Sequence, residues 1–224
     1  MDWNALRISA LLAFGTALLL SAPGILLARW LAYTRKPWRN VFEALLTVPL
    51  ILPPTVLGFY LLSVLGNGAP LGAWYQRLFG APLAFSFTGL LVASLVFNLP
   101  FTVMPMQRAF AAIPPALLDA ARTCGLSPWR TLWRIELPLA WPGLLTALIM
   151  TAAHTLGEFG VVLMVGGNIP GETRTIAIAI YDRVQAFDLD SAATMSGLLL
   201  GISLAALMVV SWLGGRRDHE RGVL

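Results

Sequence analysis

Charge is scarce in these 224 residues: only 12% are Asp, Glu, Lys or Arg, and 58% are hydrophobic. An ordinary globular domain carries about a quarter charged residues, so a water-exposed domain surface is excluded and the chain reads as an integral membrane protein. Cysteine is nearly missing too. The single Cys124 rules out an internal disulfide framework and any CxxC metal or redox pair, and reads as a small helix-packing residue. Histidine occurs twice, at His154 and His219; no HExxH is present, and no Ser/His/Asp set can be proposed from spacing. There is no GxxxxGK[ST] to cradle ATP phosphates. The net charge of +4 comes without an aromatic-interleaved basic stripe, which excludes nucleic-acid binding; in a membrane protein such residues mark the cytoplasmic side.

What is present is a series of long apolar runs. A hydrocarbon core about 30 Å thick needs roughly 20 apolar residues per helix. The runs predict an all-α membrane protein forming a single domain over residues 1–224, with about five crossings: 5–33, 41–65, 87–111, 138–165 and 194–213. A signal-peptide cleavage site could be read at 21–24, but the apolar sequence resumes beyond it, so a retained first helix with a kink at Pro23-Gly24 is expected. Pro49 and Pro53-Pro54 predict a bent second span packed inside the bundle. Residues 66–85, rich in glycine, proline and aromatics, read as an external loop, and 166–191 is too polar to span.

Five crossings put the termini on opposite sides, and basic residues decide which. Arg29, Arg35, Lys36, Arg39, Arg108, Arg122, Arg130, Arg134, Arg216, Arg217 and Arg221 fall on one face, 11 of the 15. The N-terminus is therefore expected outside, with the C-terminus and residues 114–143 in the cytoplasm.

That stretch, from Pro114 to Gly143, is a polar island. Pro114-Pro115 stops one helix and opens another, with Asp119 near its positive end; Gly125 suits a helix-ending glycine, and Ser127-Pro128 restarts a helix running to Pro138. The expected object is a helix, a tight turn and a helix beside the membrane. Ala120 and Ala121 offer a small face for close approach by another protein, and Arg122, Arg130 and Arg134 can hold lipid phosphates or an acidic partner. The same residues also suit an interfacial hairpin that only anchors helices.

Asp119-Ala120-Ala121, Gly125 after three intervening residues, and Ile135, Leu137 and Pro138 further on resemble the EAA loop of MetI-like ABC importer permeases. Asp119 replaces the usual glutamate. LGEFG at Leu156 to Gly160 and GNIPGETRTIAIAIY at Gly167 to Tyr181 resemble the molybdate branch of that family, whose relatives carry sulfate and tungstate. The resemblance implies a non-catalytic permease of the bacterial inner membrane in which Asp119, Ala120, Ala121, Arg122, Gly125, Pro128, Ile135 and Pro138 couple to an ATPase. Two copies would pair with two ATP-binding subunits, the chain itself holding no cofactor, and an external oxyanion-binding protein would deliver substrate.

Polar groups at membrane depth are costly and face a bundle interior or cavity, which makes Asn98, His154 and Glu158 candidates for the path. Glu158 is expected mainly to accept hydrogen bonds from a neighbouring helix. His154 suits either oxyanion attraction or cross-helix bonding. Glu172 and Arg174, in the external segment, are candidates for docking the binding protein. A self-contained secondary transporter would need ion-coupling carboxylates, and only Glu158 lies deep enough.

Overall fold

The computed structural model describes residues 1–221, with side chains through Trp212, so the arginines of the C-terminal tail lie outside the described side chains. Its first helix, α1 (Trp3–Tyr33), is capped by the Asp2 carboxylate, which accepts the Ala5 N–H at 2.9 Å, and runs past Pro23 without a break. Two further long helices, α5 (Phe87–Ala111) and α8 (Leu137–Gly157), pack with it as the central bundle. Lipid tails supply no hydrophobic drive between helices, so contact depends on small residues. Gly24 sits where a Cβ would come 2.8 Å from Thr102 Cγ2, and Gly143 lies directly against Ala109. Ala28, Leu31, Met106, Phe110, Ala140 and Leu144 fill one end of this bundle.

The second span is broken rather than merely bent. α2 (Arg39–Ile51) ends before Pro53-Pro54, α3 (Pro54–Leu65) begins there, and their axes differ by 109°. Two prolines remove two backbone donors, which ends the ladder of α2. Contrary to the expected interior position, α2 lies on the outside of the bundle with only Leu46 buried. The pair still reaches both ends of α5. Glu43 accepts from Gln107 Nε2 at 2.6 Å, and Leu65 shares a buried cluster with Leu83 and Val165. Among the described residues four helices are long and apolar enough to cross a membrane, and this bent pair makes a fifth span if it crosses as one.

The fourth span stops earlier than expected. α8 ends at Gly157, the chain unwinds at Glu158 and Phe159, and α9 (Gly160–Gly166) follows, with Phe85 donating its N–H to the Val165 carbonyl at 2.9 Å. The fifth span starts earlier, in α11 (Leu189–Arg221), and its apolar window through Trp212 is almost entirely unburied, as suits a lipid-facing helix. Both expected loops contain helices: α4 (Pro70–Phe79), with Trp74 and Phe79 exposed as in a membrane-interface helix, and α10 (Ile176–Gln185).

Candidate functional site

The polar island folds as a hairpin. α6 (Pro115–Thr123) opens with Pro115 at its first position and buries Leu118 and Ala121. Ala121 therefore faces inward, leaving Ala120 on the exposed side. Asp119 lies in the second turn, not at the helix start, and pairs at 2.8 Å with Arg122. Both are well exposed, so the pair adds little stability. Cys124, expected as a packing residue, is exposed.

Gly125 takes a left-handed φ of 72°. Leu126 N–H bonds the Ala121 carbonyl at 3.0 Å and Gly125 N–H the Arg122 carbonyl at 2.9 Å, the two bonds of a Schellman cap. The second arm, α7 (Pro128–Thr131), starts with Ser127 Oγ accepting the Arg130 N–H and exposed Pro128 at the first position.

The sequence reading separated this arm from the fourth span, whereas the structure joins them. A π turn (Leu132–Glu136) links α7 to α8, with Leu137 N–H reaching back five residues to the Leu132 carbonyl. Pro138 has no N–H to continue an α ladder, which accounts for the wider turn at this point. Ile135 is half-buried here and Pro138 exposed.

The same turn carries a pair that sequence reasoning missed. Glu136, 1% exposed, receives Arg29 Nε at 2.6 Å and Nη2 at 2.9 Å. The partners are 107 residues apart, and Arg29 had been counted as an interfacial charge. No local signal marked it, since α1 carries Arg7 as well as Arg29.

At the middle of the bundle lies a polar layer. Asn98 is fully enclosed within this chain. Its Nδ2 donates to the Ser94 carbonyl at 2.9 Å and to Ser94 Oγ at 3.1 Å, and its Oδ1 lies 2.9 Å from His154 Nδ1. An amide oxygen only accepts, so Nδ1 carries the hydrogen and the other ring nitrogen is left for the open side. Thr16 Oγ1 donates to Ser94 Oγ at 3.1 Å, and the Thr102 and Thr151 hydroxyls meet at 2.7 Å.

His154 stacks on Phe101 with ring centroids 3.8 Å apart and borders a cavity of about 600 Å³. Pro54, Thr55, Phe97, Glu158 and Gly160 also line it, so both helix breaks meet at this cavity. Gly160 makes that meeting possible, since a Cβ there would come 2.7 Å from Pro54 Cβ. Among the described residues neither Glu158 oxygen has a hydrogen-bond partner, although Asn98 lies within electrostatic reach.

The GNIPGETRT segment is tied internally. Asn168 Nδ2 donates to both Asp182 oxygens, at 3.0 and 2.8 Å, and Arg174 Nε donates to Asn168 Oδ1 at 2.6 Å. Thr173 Oγ1 donates to the Gly166 carbonyl at 2.7 Å and accepts the Ile169 N–H. Arg174 thus holds the loop, while Glu172 is exposed and shares a cavity of about 240 Å³ with Arg7.

A helical membrane bundle with an exposed, firmly capped hairpin and a cavity where two broken helices meet is the architecture of a transport subunit. The chain belongs to the family described as binding-protein-dependent transport system inner membrane component, which matches residues 24–216. It is 44% identical over 222 residues to the molybdenum transport system permease protein ModB of Azotobacter vinelandii, covering 99% of this chain and 97% of that one. It is 35% identical to the ModB protein of Escherichia coli K12 over 222 residues, 98% and 96% of the two chains. The sulfate transport system permease protein CysT of Escherichia coli K12 is 29% identical over 212 residues, 95% of this chain and 76% of that one. In fold, the chain resembles a bacterial alginate ABC transporter (TM-score 0.71, 18% identity, 94% of this chain and 76% of that chain). It also resembles the MetNI methionine ABC transporter (TM-score 0.64, 18% identity, 95% and 94%).

Proposed function

We propose that this chain is the permease subunit of an ABC importer that carries molybdate across the bacterial cytoplasmic membrane. The observation that carries the reading is the exposed α6–α7 hairpin, joined through a π turn to a membrane helix, in a chain that aligns end to end with molybdenum permeases. Two copies of the chain pair around a shared path. Each hairpin seats in an ATPase subunit, presenting Asp119, Ala120, Arg122 and Gly125; ATP binds there and not to this chain. An external binding protein delivers the oxyanion. The N-terminus lies outside and the hairpin and C-terminus inside, as the basic residues favour.

Nucleotide-driven movement opens the path only where ATPase contacts differ between its inward-open and outward-open states; equal contact shifts nothing. His154 and Glu158 border that path at the cavity between the two helix breaks. Glu172, exposed on the outer face, contacts the binding protein, and Arg174 shapes the loop that presents it. Identity of 44% to a molybdenum permease against 29% to a sulfate permease ranks molybdate first, with tungstate and sulfate as competing cargoes.

The test is copurification followed by uptake. An ATPase subunit should be retained by the intact chain and released by disruptive changes at Asp119 and Gly125; retention that survives such changes throughout the hairpin rejects the docking role. In liposomes, labelled molybdate should enter in preference to sulfate, and the reverse order reassigns the substrate.

A further inference from the structure

We infer that the Arg29–Glu136 ion pair is the joint through which movement of the hairpin reaches α1, which makes both residues positioning residues for transport. The inference rests on the reading of the hairpin as the ATPase dock. Glu136 closes the π turn and is buried, and Arg29 meets it with two nitrogens, at 2.6 and 2.9 Å. Such a fork fixes orientation as well as distance. The same guanidinium lies 3.5 Å from the carbonyl of Pro128, the first residue of α7.

One turn further along α1, the Tyr33 hydroxyl donates to the Phe110 carbonyl at 3.3 Å, at the entry to the hairpin. The last two turns of α1 therefore hold both ends of the hairpin. Between those anchors lies a cavity of about 600 Å³ bordered by Leu26, Tyr33, Leu118, Arg122 and Leu126. Leu118 and Ala121 anchor the inner face of α6 beside this cavity, and the polar ties to α1 lie at the two ends of the hairpin. The exit end is a π turn, where the regular ladder is interrupted and the helix is least able to transmit force along its own axis. Arg29 bridges that weak point and diverts the load into α1.

A simple stability role and a positioning role respond differently to paired substitution. Removing one partner strands a buried charge, whereas replacing both with apolar residues of similar size is often neutral or stabilising. The experiment uses the assembled complex in liposomes with binding protein and molybdate, and measures molybdate moved per ATP hydrolysed, ATPase-subunit retention and Tm. The Arg29→Met/Glu136→Leu double variant should keep Tm and retention while molybdate per ATP falls about fivefold or more. Arg29→Lys, which keeps the charge and loses the fork, should give a smaller fall in the same ratio. A wild-type ratio in the double variant overturns the inference. If the double variant does not assemble, a wild-type ratio in Arg29→Lys overturns it equally. Failure of the unmodified chain to retain any ATPase subunit instead removes the docking reading, and this inference with it.

Discussion

Gly125→Ala isolates backbone strain from every other effect at the hairpin. Gly125 has φ 72°, and a Cβ built on it meets no atom within 4 Å, so substitution causes no clash within the chain. What remains is the left-handed conformation, which costs an L-residue roughly 1–2 kcal/mol and is easier for asparagine. The bonds at stake are the two cap bonds from the amides at 125 and 126, at 2.9 and 3.0 Å. Because the hairpin is exposed, the loss should appear as local opening and not as global unfolding. At about 1.4 kcal/mol per decade, hydrogen-exchange protection of these two amides should fall roughly five- to thirty-fold, with Gly125→Asn between alanine and wild type. Global unfolding in mixed micelles should stay within about 0.5 kcal/mol. Alanine protection equal to wild type, or asparagine as damaging as alanine, would refute the assignment of Gly125 to conformation. A normal cap in Gly125→Ala combined with lost ATPase retention would instead place the role of Gly125 in close contact with the partner.

Four further outcomes follow from the packing and hydrogen bonds. Gly143→Leu forces a side chain into Ala109 and should destabilise the bundle by about 1–3 kcal/mol or more in a denaturant titration. Thr102→Val should destabilise by stranding the Thr151 hydroxyl, and Thr151→Val should cost less because Thr102 Oγ1 also reaches the Asn98 carbonyl at 3.3 Å; the double-mutant coupling should be about 0.6 and at most about 1.7 kcal/mol, and zero coupling would disprove the contact. Arg174→Ala should loosen residues 168–174 by about 1 kcal/mol, read as faster hydrogen exchange in that loop, since its partners are only partly shielded from solvent. The Ser191 hydroxyl and N–H, then Arg183, hold the Asp188 carboxyl below the ordinary carboxylate range. This capping of α11 should be complete above about pH 4 and be lost as pH falls through the lowered value, seen as faster exchange of the Ser191 amide at low pH.

The parts of the fold legible in sequence were those governed by local rules. A span at about 87–111 was expected and α5 covers Phe87–Ala111, where Ser86 caps the start and Pro114-Pro115 forbids continuation. Gly125, Ser127 and Pro128 were likewise readable, since left-handed φ, N-capping and a first-turn proline each act within four residues. What failed depended on long-range contact. Nothing local distinguishes Arg29 as the partner of buried Glu136 from an interfacial arginine, and the bonds that tie Asn98 to Ser94 and His154 are equally invisible in the sequence. The end of α8 at Gly157 was equally hidden: LGEFG offers no proline, and the break is stabilised by Pro54 arriving from another helix.

Those two breaks divide the molecule by stiffness. α1, α5 and α8 are joined by close glycine contacts and by hydroxyl and amide bonds across their whole length, so they resist relative sliding. α3 and α9 pack against each other, α9 also packs on α5, and unwound backbone at residues 52–53 and 158–159 joins α3 to α2 and α9 to α8. Unwound segments absorb dihedral change at lower cost than a continuous ladder, which makes them the natural hinges of such a structure. The cavity bearing His154 and Glu158 lies at the seam between the stiff core and the hinged pair. A small shift of α3 and α9 relative to α8 therefore changes the width of this cavity first, while the hairpin, fixed to the core through Arg29 and Tyr33, keeps its own geometry. Under the proposed importer function, input at the hairpin and response at the cavity fall to different parts of one chain, with α8 common to both.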